Sequence, residues 1–119
     1  MEDCGEVEAA GGAFPCAVVL AAAGAAIALG TDHNPGTSGI TSMSLVVAMA
    51  VGVFKMSAEQ ALIAATVGGA LSISRSDRGA IAPSMLADLV LWEADHEGAF
   101  AWAYGLKPRR VWRGGVPIA

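Results

Sequence analysis

Residues 28–38 read Ala-Leu-Gly-Thr-Asp-His-Asn-Pro-Gly-Thr-Ser, directly after an apolar run that begins at Ala21. They gather a carboxylate (Asp32), an imidazole (His33), a carboxamide (Asn34) and two hydroxyls (Thr37, Ser38) within seven positions. The apolar run would deliver Asp32 to the end of a buried strand, where a carboxylate can move a proton or ligate a divalent metal. Pro35 fixes one φ angle, and Gly36 permits a left-handed or close-approach backbone. A functional loop at the C-terminal end of a parallel strand has this composition. So does an ordinary Asx-Pro turn between a strand and a helix, and local chemistry leaves both readings open.

The other reactive residues are sparse. His33 and His96 are the only histidines, and no His-x-His pair occurs. Cys4 and Cys16 are too few and too isolated for a disulfide framework or a zinc cage, which points to a reducing cytosol. Cys16 lies in an apolar helical stretch and reads as a small core residue. Asp88, beside an apolar strand, reads as a hydrogen-bonding strand start, and His96 as surface structure. Lys107, Arg109, Arg110 and Arg113 read as a solvated strand edge of the kind that discourages edge pairing.

The elements that must position this loop follow from periodicity. Residues 14–23 form an expected helix, closed by Gly24 in a left-handed cap. Residues 25–30 are continuously apolar and fit a buried parallel strand. Thr31 to Ser42 is the loop. Residues 43–54 are helical, with Met43, Val46, Val47, Ala50 and Phe54 on one face. Ser57 with Gln60 three positions on predicts a capping box, and the next helix runs to about Leu71. Ile81, Asp88–Trp92 and Arg109–Trp112 fit short strands, the first two around a turn at Pro83-Ser84.

Composition bounds the possibilities further. The chain has 119 residues, is 55% hydrophobic and 15% charged, and carries a formal charge of −4 at pH 7. That is apolar for a free-standing domain, and the acidic balance excludes nucleic acid as an expected partner. Residues 13–30 carry no charge and are long enough to raise a membrane span. Pro15, the Ala- and Gly-rich composition, the break at Ala22-Ala23-Gly24 and the acidic start Met1–Glu8 argue against one. No membrane association is expected.

Several of these segments resemble the imidazolonepropionase family of metal-dependent amidohydrolases. The specific match is Asp32-His33-Asn34-Pro35-Gly36-Thr37-Ser38. Around it, Thr41-Ser42-Met43-Ser44-Leu45, Met56-Ser57-Ala58-Glu59-Gln60-Ala61-Leu62, Ser76-Asp77-Arg78-Gly79, Ala87-Asp88-Leu89-Val90-Leu91-Trp92 and Arg110-Val111-Trp112-Arg113-Gly114-Gly115 resemble family segments in the same order. The resemblance covers residues 14–116 but only the last part of a full family member. It implies an α/β fold: residues 14–76 as the last strand and helices of a (β/α)8 TIM barrel, and residues 77–119 as terminal strands of a small composite β-sandwich. Residues 1–13 are unmatched. A closed barrel takes roughly 200 residues or more, so the chain is expected to be a C-terminal fragment, inactive alone.

The resemblance also implies chemistry. Asp32 would act as the catalytic proton carrier and as a ligand of one divalent metal, zinc or iron, held in the full-length enzyme. Asn34, Gly36 and Thr37 would hold the small-molecule substrate, imidazolone-propanoate, or its formiminoglutamate product. A cytoplasmic setting and a homo-oligomer at full length are implied as well. His33 would line the loop without ligating. The chain departs from the family at Thr66-Val67-Gly68-Gly69-Ala70, where the family has Thr-x-Asn-Ala-Ala, and the two glycines cost roughly 1 kcal/mol each against Ala in a helix. It also departs at Ser84-Met85 and at Trp102-Ala103-Tyr104-Gly105, where a family histidine is absent. A fragment of another amidohydrolase, such as a deaminase, or a small non-catalytic interaction or membrane-associated protein are the competing readings.

Overall fold

Two serines start the helices that organise this chain. In a computed structural model, which describes residues 17–119, the Ser42 hydroxyl accepts the Leu45 N–H and opens α2, while Ser57 opens α3. The latter is the capping box expected from sequence: Gln60 N–H donates to Ser57 Oγ at 3.1 Å and Ser57 N–H to Gln60 Oε1 at 2.9 Å. Helix α1 spans Ala17–Ala22, α2 Met43–Gly52, α3 Ala58–Ile63 and α4 Gly69–Ser72. A widened π turn, Ala64–Gly68, joins α3 to α4, so residues 58–72 form one helical segment. Helix α2 stops at Gly52, two residues short of the expected end, because Lys55 takes a left-handed φ of 59°. The expectations for Cys4, Cys16 and residues 1–13 lie outside the described residues.

Gly24 closes α1 as expected, with φ 82° and with the Ala25 N–H donating back to the Leu20 carbonyl. The next residues correct the strand expectation. Residues 25–30 pair with no strand among the described residues; beyond the cap of α1, Leu29 N–H donates to the Ala64 carbonyl at 3.2 Å. A parallel strand needs at least one partner strand to take up its backbone N–H and C=O groups, and no described residue supplies one. Ile27 and Leu29 instead turn onto the core while Ala25, Ala26 and Ala28 stay exposed. Gly68 makes this path possible. A Cβ there would collide with the Ile27 carbonyl oxygen and lie 3.3 Å from Ala28 Cα. The glycine that reads as a helix penalty in sequence is therefore a contact between main chains.

The core is small. Val47, Ala50, Met56, Ala61, Ala64 and Phe100 are buried together, with Phe54, Leu62, Trp92 and Leu106 packed around them. Trp92 and Phe100 meet edge to face, centroids 5.2 Å apart, which docks the short 3-10 helix Glu97–Ala101 against the sheet. Ser44, buried on α2, donates to the Leu106 carbonyl at 2.9 Å and ties that helix to the tail.

The sheet is antiparallel, in the order β1 (Leu89–Trp92), β2 (Pro108–Arg113), β3 (Val116–Pro117). Leu89 faces Trp112 and Val90 faces Val111, and the register shifts between Leu91 and Trp92. Asp88–Trp92 and Arg109–Trp112 are thus strands as expected; β3 was not anticipated. Ile81 is not a strand. It is 90% exposed in a stretch of turns, where Met85 N–H donates to the Ala82 carbonyl and Ser84 has φ 69°. Helix and strand are mixed, as an α/β fragment requires, while the described residues form neither a closed barrel nor a parallel strand pair.

Candidate functional site

The turn that follows the unpaired run is built around one side chain. Asn34 Oδ1 accepts the N–H groups of Gly36 and Thr37, both at 2.8 Å. Its Nδ2 donates to the Asp32 carbonyl at 2.6 Å and to Thr37 Oγ1 at 3.1 Å. The Asn34 N–H donates to the Ser38 carbonyl at 3.0 Å, and Ser38 Oγ donates to the Thr31 carbonyl at 2.8 Å, so both ends of the loop are closed. Thr31 Oγ1 accepts the His33 N–H at 3.3 Å. Pro35 and Gly36 occupy the tip, and a Cβ on Gly36 would sit 3.3 Å from Asn34 Oδ1. Sequence reasoning singled out Asn34, Gly36 and Thr37 but missed the clasp from Ser38 to Thr31, whose only signal is a short polar side chain at each end of the loop.

Asp32 adopts φ 49°, a left-handed conformation uncommon outside glycine. It is exposed, and its carboxylate has no hydrogen bond or ion pair among the described residues. The loop therefore brings Asp32, Asn34, Gly36 and Thr37 into one turn, with the carboxylate outward and the carboxamide turned onto the loop. His33 is exposed beside Asp32. Among the described residues no three His, Cys, Asp or Glu side chains converge as a metal site would require. A catalytic zinc site takes three protein ligands, so these residues by themselves do not fit a complete metal centre.

The remaining candidates have structural partners. His96 caps the 3-10 helix, its Nδ1 accepting the Gly98 N–H at 3.0 Å. Asp88 accepts the Gly114 N–H at 2.8 Å and Arg78 at 3.0 Å, the strand-start role expected of it. Arg75 and Arg78 both reach Asp77, and hydrogen bonding from Arg75 holds the Asp77 carboxyl well below the usual carboxylate range. This chain of charges links the end of α4 to the sheet.

Comparison with known proteins places this architecture. A model of the amidohydrolase family matches residues 6–117. The chain belongs to the amidohydrolase family. Amidohydrolases generally use a divalent metal. The chain is 40% identical over 97 residues to an imidazolonepropionase of Cereibacter sphaeroides, an alignment covering 82% of this chain and 25% of that protein. It is 39% identical over 104 residues to an imidazolonepropionase of Nocardia farcinica (87% and 26%) and 40% identical over 97 residues to one of Deinococcus deserti (81% and 24%). The chain thus spans about a quarter of the length of these relatives. No helix among the described residues of this amidohydrolase chain is long and apolar enough to cross a membrane.

Proposed function

We propose that this chain is the C-terminal quarter of an imidazolonepropionase-type hydrolase, which adds water across a cyclic amide C–N bond of imidazolone-propanoate and releases formiminoglutamate. The observation that carries the reading is the Asp32–Thr37 turn, an outward carboxylate on a backbone fixed by hydrogen bonds, within a chain about 40% identical to imidazolonepropionases. Residues 14–76 would form the last βα units of a (β/α)8 barrel and residues 77–119 strands of the composite β domain. The unpaired run 25–30 suits a barrel strand whose neighbours come from the rest of the enzyme. A cytoplasmic, homo-oligomeric, full-length enzyme completes the reading.

In this reading Asp32 carries the proton. Its carboxylate accepts one from the water whose oxygen attacks the ring carbonyl, and returns it to the ring nitrogen as the C–N bond breaks. Asn34, Gly36 and Thr37 build the wall that receives the substrate. The divalent metal, zinc or iron, would need ligands beyond these residues, and no step is assigned to it. A chimera in which residues 14–119 replace the matching quarter of the Cereibacter sphaeroides imidazolonepropionase tests the proposal. Turnover of imidazolone-propanoate to formiminoglutamate is expected; a folded chimera without turnover would overturn it.

A further inference from the structure

Residues 25–30 offer a sheet edge that no described residue takes up. None of the six carries a polar side chain that could serve the main chain. Beyond the α1 cap and the Leu29 bond to Ala64, the N–H groups of Ala26, Ile27, Ala28 and Gly30 and the carbonyls of all six residues have no hydrogen-bond partner among the described residues. Such groups stay in water or pair with another strand. Beside the run lies a second unpartnered feature. Ile63, Val67 and Leu71, four positions apart on the 58–72 helical segment, are exposed and line an apolar groove with Ala25 and Ile27. The same segment already buries Ala61 and Ala64 in the core. A helix apolar on two sides is one that packs on two sides.

A strand edge with an apolar groove alongside fits one kind of occupant, a strand with its connected helix. The run is continuously apolar rather than alternating, which is the pattern of a strand with parallel neighbours. A second copy meeting it across a two-fold axis perpendicular to the strand would pair antiparallel, and does not suit it. The chain also spans about a quarter of the length of its relatives, so three quarters of such an enzyme is not represented in these 119 residues. We propose that this surface binds, without a peptide link, a separate polypeptide made of the remaining three quarters of an imidazolonepropionase. That partner sets a parallel strand against residues 25–30 and an apolar helix face on Ile63, Val67 and Leu71. The identity of the partner rests on the function proposed above; the association in trans goes beyond it.

The test is co-expression of the 119-residue chain with a tagged Cereibacter sphaeroides imidazolonepropionase that lacks the matching quarter. The expected result is co-purification at one to one, with slowed hydrogen exchange at the Ala26, Ile27 and Ala28 amides. The pair should also turn over imidazolone-propanoate, which neither polypeptide does alone. Val67→Glu and Leu71→Glu each put a carboxylate where the chain is exposed but the pair is covered, so each should weaken association by at least ~10-fold. Two polypeptides that never co-purify, while the covalent chimera is folded and active, would overturn the inference and leave the function standing. Glu variants that associate like the parent would overturn it too. So would a homodimer of the chain with those amides protected, which gives the surface to a second copy. A pair that assembles with the expected protection but, like a folded chimera, has no turnover keeps the docking surface and overturns the proposed function instead.

Discussion

At the scale of single residues, exposed groups here divide into those with partners and those without. Asp77 has two arginines around it, and Asp32 has none among the described residues. The Asp77 carboxyl is held below its usual range, so its ion pairs stabilise the folded chain at pH values above the unfolded carboxylate pKa of about 4. That contribution fades as pH falls through the lower folded value. The melting-temperature gap between the parent and Asp77→Asn should therefore be constant near neutral pH and shrink below about pH 4. A gap that widens on acidification would contradict the pairing. The place of Asp32 just past an apolar run was legible in sequence. The inward turn of Asn34 was not, since an Asn-Pro-Gly string specifies a turn without saying which groups its amide will satisfy.

At the scale of elements, local signals survived and non-local ones did not. The Ser57–Gln60 box depends on residues three apart, and the sequence displays it openly. Strand pairing for residues 25–30 depends on distant chain, and the structure shows a run laid across the helical segment instead. The Gly68-Gly69 pair divides on the same line. Each glycine reads as a helix cost, yet only the structure distinguishes the two. A methyl on Gly68 would strike the Ile27 carbonyl, whereas one on Gly69 meets nothing within 4 Å, and Gly69 has helical φ and ψ of −58° and −44°. Gly69→Ala should therefore stabilise by up to ~1 kcal/mol, the helix propensity difference. Gly68→Ala should destabilise despite the same propensity gain. Denaturant melts of the two variants in the chimera measure both, and equal effects would refute the close approach. Ser57→Ala, which removes the cap, should cost about 0.5–2 kcal/mol in the same assay.

At the scale of the whole molecule, the chain buries little of what it carries. Among the described residues its core is largely alanine, with Val46, Val47, Met56 and Phe100 the larger buried side chains. Trp102 (70%), Ile73 (66%) and Val116 (63%) are largely exposed. An apolar groove of about 230 Å³ opens between α1, the 25–27 run and the 58–72 helical segment, lined by Ala21, Ile27, Ile63, Val67 and Leu71 among others. Apolar composition predicted this shortage of polar exterior. Which faces it would leave bare was not legible, because that depends on long-range packing that composition does not encode. The purified chain alone should accordingly be aggregated or loosely packed, without turnover and with weak zinc or iron binding. A monodisperse monomer with a sharp cooperative melt would count against this.

The central claim is that the turn after the apolar run carries the proton in a C–N bond hydrolysis, and one comparison bears on it most directly. It is kcat for imidazolone-propanoate in the chimera and in its Asp32→Asn variant, with bound metal quantified in both. The substitution keeps the side-chain size and some hydrogen bonding while removing the charge and the basicity. The expected result is a kcat at least ~10²-fold lower, the low end of what a positioned acid–base group contributes. A variant that keeps the parent kcat would contradict the claim and return the loop to a plain Asx-Pro turn.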